Sequence, residues 1–371
     1  MTTFPLTDPH PDFAGLQRVI LGQEQPDRVR FVELKVDDEI MQWVTEHLLG
    51  RAWVNFEADP EGHIRQLIEF NYRMGYDFVR NRTPWALLGR PQQGGERTQD
   101  TAGLSRGQRE WVVGGGGLIR SWDDLRAIRW DDLRPNLPLF DMFARNLHPG
   151  MNVMLSGRLF EEVMEVLLGY EGLFVLSHDQ PDLVRAVFDT WGEKLYDFYA
   201  ATLVRPEVGG IFHGDDLGHK TGTMMSPAFL REHVFPWLKR YVDLAHGHDK
   251  LFLLHSCGNL LEIMDELMDQ VGIDGYHSFQ DVILPVQEFQ RRYGARVAVL
   301  GGVDVDRLAR LRPAELRRYC RRILDECMPR GRYVFGSGNS VTNYVPPENY
   351  LAMLEEGWRW EGSEAAQRVT E

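Results

Sequence analysis

Short apolar runs alternate with longer amphipathic segments along most of the chain. Eight runs read as strands: 29–34 (VRFVEL), 75–80 (GYDFVR), 151–156 (MNVMLS), 209–214 (GGIFHG), 250–255 (KLFLLH), 272–277 (GIDGYH), 296–301 (RVAVLG) and 332–336 (RYVFG). Runs this apolar suit strands covered on both faces, as in a parallel sheet. Most of the gaps between them carry helical spacing, over 159–169, 180–203, 226–247, 258–271, 284–293, 305–310 with 313–328, and 347–357. Ser226-Pro227 opens one of them with a cap followed by proline at the first helical position. Strand–helix alternation implies right-handed βα units. Eight such units over residues 26–360 predict an α/β fold, a single (β/α)8 TIM barrel, with its site at the C-terminal ends of the strands.

Residues 81–150 break the pattern and read as an insertion after the second strand. They carry Pro84, Pro91, the run Gly114–Gly117 and several tryptophans. The segment EWVVGGGGLIRSW predicts a β-hairpin turning at the glycines. No Lys-Ser/Thr pair follows them, so a phosphate loop is the poorer reading. Trp85, Trp111, Trp122 and Trp130 either cover the barrel mouth or pack the insertion onto the barrel. The first 25 residues and the tail 361–371 are expected to be loosely held.

Composition narrows the function classes. The chain has 371 residues and 43% hydrophobic content, ample for a large core and too apolar for a disordered chain. A net charge of -14 argues against a phosphate-seeking nucleic-acid surface. Arg317, Arg318, Arg321 and Arg322 sit at helical spacing and read as a solvated face. Three cysteines, Cys257, Cys320 and Cys327, make no disulfide framework and point to a reducing cytoplasm. Cys320 and Cys327 fall in a predicted outer helix and read as core packing. No secretory signal and no membrane span are expected.

The chemistry-bearing residues gather at predicted strand ends. His255-Ser256-Cys257-Gly258 follows the apolar strand LFLL directly. Residues two apart on a strand share a face, so His255 and Cys257 can both face the barrel mouth. Imidazole and thiolate are common zinc ligands, although a buried thiol and a core histidine are the plainer alternative. Gly214-Asp215-Asp216-Leu217-Gly218 offers two carboxylates at another strand end, suited to metal coordination, general-base work or capping. One of Asp215 and Asp216 is expected in the site and the other in a structural role. Asp304 reads as a helix cap. His277 and Gln280 follow the next strand. Phe335-Gly336-Ser337-Gly338-Asn339-Ser340 closes the last one, with Ser337 and Asn339 as substrate contacts. Ser156 is a further candidate contact, although LSGRL lacks the glycines of a nucleophile elbow. Glu33, a carboxylate in an apolar strand, is not placed there by stability alone.

The strings GDDLGHKTGTMMSPAFLREHVFPWLKR, LFLLHSCGN, AVLGGVDV and GSGNSVTNYVPPENYLAML resemble the uroporphyrinogen decarboxylase superfamily over roughly residues 25–360. The His-x-Cys-Gly-Asn segment looks more like its cobalamin-dependent methyltransferase branch, which includes the methylcobamide:coenzyme M and O-demethylating enzymes. The resemblance implies zinc on His255 and Cys257. Ser337 stands where that branch has a second cysteine ligand, which leaves Asp215, Asp216, Glu33 and His277 as alternatives for the third. It also implies a corrinoid carried by a separate protein, a small methyl donor or acceptor, and a homodimer. Decarboxylases of the superfamily grip their substrate with an arginine-rich N-terminal motif, which DRVRFVELKVDDE lacks. A decarboxylase or lyase acting on a small carboxylated substrate, with Arg158 or Lys220 as anchor, stands as the alternative activity.

Overall fold

The computed structural model describes residues 4–82, 86–91, 95–105, 107–112 and 116–361. Seven of the predicted apolar runs form one parallel sheet: β1 (Phe78–Arg80), β2 (Asn152–Leu155), β3 (Val208–Gly214), β4 (Leu251–His255), β5 (Gly275–His277), β6 (Ala298–Leu300) and β7 (Tyr333–Val334). Each strand pairs with the next in sequence, so the sheet curls in one direction. Helices fill the connections, among them Pro181–Leu203, Phe235–His246 and Pro313–Cys327, and the helix Pro347–Trp358 follows the last strand.

The first predicted run, 29–34, does not form a strand. It meets the end of β7 through a parallel bridge, Phe31 to Phe335, with Val32 N–H donating to Phe335 O and Phe335 N–H to Arg30 O. The next ladder donor would be the Ser337 amide. It goes instead to the Glu33 side chain at 3.0 Å, which interrupts the pairing until a second parallel bridge joins Val36 to Val341. At the other edge of the sheet, the Arg80 guanidinium on β1 donates to Leu34 O.

Alternation along the strands sorts side chains into two packed layers. Phe78, Met154, Phe212, Leu251, Leu253 and Leu300 fill the concave side. Phe252, Leu254, Val299 and Tyr276 face the helices. Within the first 25 residues, expected to be loosely held, Phe13–Ile20 form a helix capped by Asp12 and contribute Phe13, Leu16 and Ile20 to the concave layer. A Cβ on Gly209 would lie 2.3 Å from the Phe13 ring, so only glycine lets that ring in.

Between β1 and β2 the hairpin differs from the prediction. Gln108–Val112 pairs antiparallel with Gly95–Gln99, on its N-terminal side. Val113 and the first two glycines of the run, Gly114 and Gly115, lie outside the described residues. Beyond them, Gly117, Leu118 and Ile119 donate to the carbonyls of Leu168, Val166 and Leu167. Those carbonyls end a helix and have no partners within it, so the expected second arm caps a helix. Trp122 is exposed and the Trp130 indole donates to Leu125 O, so neither covers the mouth. Trp85 and the Trp111 side chain lie outside the described residues. Cys320 and Cys327 are buried in the outer helical layer, and Asp304 caps Val305–Arg310. Among the described residues no helix is long and apolar enough to cross a membrane.

Candidate active site

Strand register brings the chemistry together. Gly214, His255 and His277 are directly paired across β3, β4 and β5. Phe212 and Leu253 face the concave side, so alternation carries Asp216, His255 and Cys257 inward just beyond the strand ends. The chain turns after Cys257 at Gly258, whose φ of 89° and close approach to Gly218 suit glycine alone. The result is a cluster of three donors. His255 Nε2 lies 3.5 Å from Cys257 Sγ and 3.7 Å from Asp216 Oδ1, and all three ligand atoms fall within 4.8 Å of one another. Tetrahedral zinc with ordinary bond lengths separates nitrogen from sulfur by about 3.6 Å and nitrogen from oxygen by about 3.4 Å. The observed spacings match, and two of the donors are anionic when they bind a cation.

A hydrogen-bonded chain fixes how His255 presents itself. The Ser337 carbonyl can only accept, so His277 Nε2–H donates to it at 3.0 Å. That leaves His277 Nδ1 as a lone pair, which accepts from His255 Nδ1–H at 2.7 Å. His255 Nε2 then carries a lone pair directed at Cys257 and Asp216. The electrostatics agree. Burial pushes His255 well below the ordinary imidazole range, reinforced by His277 and Arg80. Burial, with Arg80 adding to it, pushes His277 down to about 4. Both rings are therefore neutral at neutral pH. Burial and the Asp216 charge push the Cys257 thiol upward, while Asn339 Nδ2 donates to its sulfur at 3.2 Å. The Cys257 amide donates to Asp216 Oδ1 at 3.1 Å, which orients that carboxylate.

The cluster opens into a cavity of about 560 Å³. Met41, Leu67, Phe70, Tyr76 and Phe78 make an apolar wall, and Glu33, Arg80, Asn81, Ser156 and Asn339 are among its polar lining.

Residues 162–359, more than half of the chain, match the family model described as uroporphyrinogen decarboxylase (URO-D). The chain belongs to the URO-D family. It is 26% identical over 174 residues to a protein named uroporphyrinogen decarboxylase from Paraburkholderia phytofirmans, covering 46% of this chain and 38% of that relative's length. Its fold is similar to a solved methyltransferase from Methanosarcina mazei, with a TM-score of 0.68 at 18% identity over 94% of this chain and 98% of that one.

The remaining candidate residues of this URO-D member divide clearly. Asp215 does not reach the cavity. Its carboxylate accepts from the Leu159 and Glu161 amides at 2.9 and 3.0 Å and pairs with His213 at 2.8 Å, so it holds the start of a helix. Its odd position puts it on the outward face, opposite to Asp216. His277 acts from beneath His255 and does not line the cavity. Ser337 is fully buried, and its hydroxyl bonds to Glu33 and Asn339 O. Gln280 lines neighbouring cavities instead. Ser156 lines the main cavity but is tied to Asn81, with its amide donating to Asn81 Oδ1 and its hydroxyl to Asn81 O. Arg158 is bound to Glu161, Glu162 and Glu165, and Lys220 is exposed on a turn and does not line the cavity, so neither offers the expected anchor. Sequence reading missed Arg80 and Asn81. The only signal was an arginine ending the predicted strand GYDFVR.

The histidine chain makes a testable claim. His277→Phe keeps an aromatic ring but leaves the His255 Nδ1–H and the Ser337 carbonyl without partners. Zinc affinity is expected to fall roughly 10- to 100-fold, as when other buried partners of a ligating histidine are removed. His277→Gln can accept and donate at the same two points and is expected to recover most of it. Competition titration against a chromophoric chelator reads both. Equal affinity in the Phe variant and the unaltered chain would mean that His277 does not set the tautomer.

Proposed function

We propose that this chain is a methyltransferase that moves a methyl group between a small O- or S-methyl substrate and a corrinoid carried by a partner protein. In this reading the curled sheet is a barrel closed by segment 29–36. The observation that carries it is the three-donor cluster open to one cavity, the pattern of a catalytic metal centre with a free position. His255, Cys257 and Asp216 would hold zinc, which supplies a Lewis acid to the methyl-bearing or methyl-accepting atom. Asp216 thus takes the place of the second cysteine that the resemblance leads one to expect at Ser337.

The chain's own groups do the rest. His277 holds the His255 lone pair toward the cluster. Asn339 supports the Cys257 sulfur with its amide. The apolar wall from Met41 to Phe78 excludes water from one side of the substrate. Glu33, buried in the cavity lining with its pKa raised to about 8, stores a proton there.

The test is formation of methylcobalamin from cob(I)alamin by the zinc-loaded protein, with methanol, methoxybenzene, 4-methoxybenzoate and dimethyl sulfide offered as donors. Methylcobalamin is expected with at least one donor, and none after the metal is chelated. No methylcobalamin from any donor, or formation undiminished by chelation, would overturn the reading. A second reading, decarboxylation of a small carboxylated substrate, draws on the name of the Paraburkholderia relative. Carbon dioxide release without any corrinoid would favour it.

A further inference from the structure

Four cationic side chains line the cavity, and three are neutralised. Lys35 pairs with Asp37 at 2.9 Å, Arg82 with Asp38, and Arg158 with three glutamates. Arg80 has no acidic partner among the described residues. Its guanidinium donates to two backbone carbonyls, of Leu34 and Phe212, and its carbon lies 4.7 Å from the centre of the Phe212 ring. A guanidinium carries five N–H groups, so most of its donors are unspent, and Nε is buried with no partner. Burial draws its pKa down to about 10, and no carboxylate offsets that.

The next residue adds an independent observation. Asn81 is 2% exposed and also lines the cavity. Its Oδ1 accepts from the Ser156 amide at 2.8 Å, which fixes the orientation of the side chain. Its Nδ2 is then buried with no acceptor among the described residues. Two adjacent residues therefore bring N–H donors and one uncompensated positive charge to the lining of the same cavity. A buried cation without a counter-charge is costly, and so is an unspent donor. An anion in the cavity would answer both.

We propose that the cavity takes a small organic anion, with its charged end on Arg80 and Asn81 and its apolar body against Leu67, Phe70 and Phe78. A carboxylate fits this description best, because it is planar, small and accepts from two donors at once. The inference rests on the cavity being the substrate site of the proposed enzyme and names the class of substrate. It does not depend on the metal.

The experiment is calorimetric titration of the full-length chain, with chelator present, using benzoate and its neutral isostere benzamide. Benzoate is expected to bind roughly 10- to 100-fold more tightly than benzamide. Arg80→Gln and Asn81→Asp are expected to erase that preference, with benzoate losing far more affinity than benzamide, a selectivity that loss of a merely structural contact would not produce. Asn81→Asp keeps the shape of the side chain and its bond to Ser156, so it serves if Arg80→Gln fails to fold. Equal binding of the two probes by the unaltered chain, no benzoate binding at millimolar concentration, or an intact preference in Asn81→Asp would each overturn the proposal. Because the titration is metal-free, failure of the methyltransferase assay leaves this result standing, and the reverse also holds.

Discussion

Replacing His255 with alanine is expected to strip the chain of tightly bound zinc. Zinc bound by small protein sites is worth about 10–16 kcal/mol at neutral pH. If three protein ligands share that energy, losing one costs about 4 kcal/mol, or roughly a thousandfold in affinity. Cys257→Ala is expected to match it, because sulfur is the softest donor of the set. Asp216→Asn should cost less, since its amide oxygen can still coordinate without the charge. The order of loss, His255→Ala and Cys257→Ala before Asp216→Asn, with His277→Phe weaker again, is the signature of the geometry. Metal content after dialysis and chelator competition give the ranking, and circular dichroism reports whether each variant folds. If the unaltered chain holds no zinc, or if the Ala variants hold it as tightly, the cluster is not a metal site.

Much of this arrangement was legible in the sequence, and the failures share a cause. Seven of the eight apolar runs became parallel strands in order, because a strand covered on both faces must be apolar throughout. That same uniformity hid which face is which. In VGGIFHG nothing marks Phe212 as inward and His213 as outward, so the sequence could not choose between Asp215 and Asp216. The structure chooses through the helix start at Leu159 and Glu161, which claims the outward carboxylate. His255 and Cys257 were found because they share a parity and follow a strand directly. His277 was placed near the site, but its role depends on a cross-strand register that periodicity does not carry. Ser337, expected as a substrate contact from the small residues that close the last strand, is buried instead, with its hydroxyl bonded to Glu33 and Asn339 O. Arg80 is not marked by the sequence, and only the three-dimensional lining shows that it has no acidic partner among the described residues.

Glu33 yields the second large effect, in stability against pH. The carboxyl is buried at the edge of the cavity and accepts the Ser337 amide on Oε1. The Ser337 hydroxyl has one proton and two oxygen neighbours, Glu33 Oε2 and the Asn339 carbonyl. The carbonyl can only accept. If the hydroxyl donates there, Glu33 must supply the proton between itself and Ser337, which makes it the neutral acid. Burial pushes its pKa up to about 8, against partial relief from Ser337, in keeping with that bonding. The unfolded chain releases this proton near the ordinary value of 4.5. Between those two values the folded chain therefore holds a proton that the unfolded chain has lost. The associated stability is complete below about pH 4.5 and is lost as the pH rises through about 8. Glu33→Gln copies the neutral acid in shape and in both hydrogen bonds, but cannot ionise. Its stability relative to the unaltered chain is expected to climb across that window by a few kcal/mol. Denaturant melts of both proteins at pH 5 and pH 9 measure the difference, and titration of all other groups cancels to first order. Parallel loss of stability in the two proteins would show that Glu33 is already ionised at neutral pH. The cavity would then hold no stored proton for the reaction.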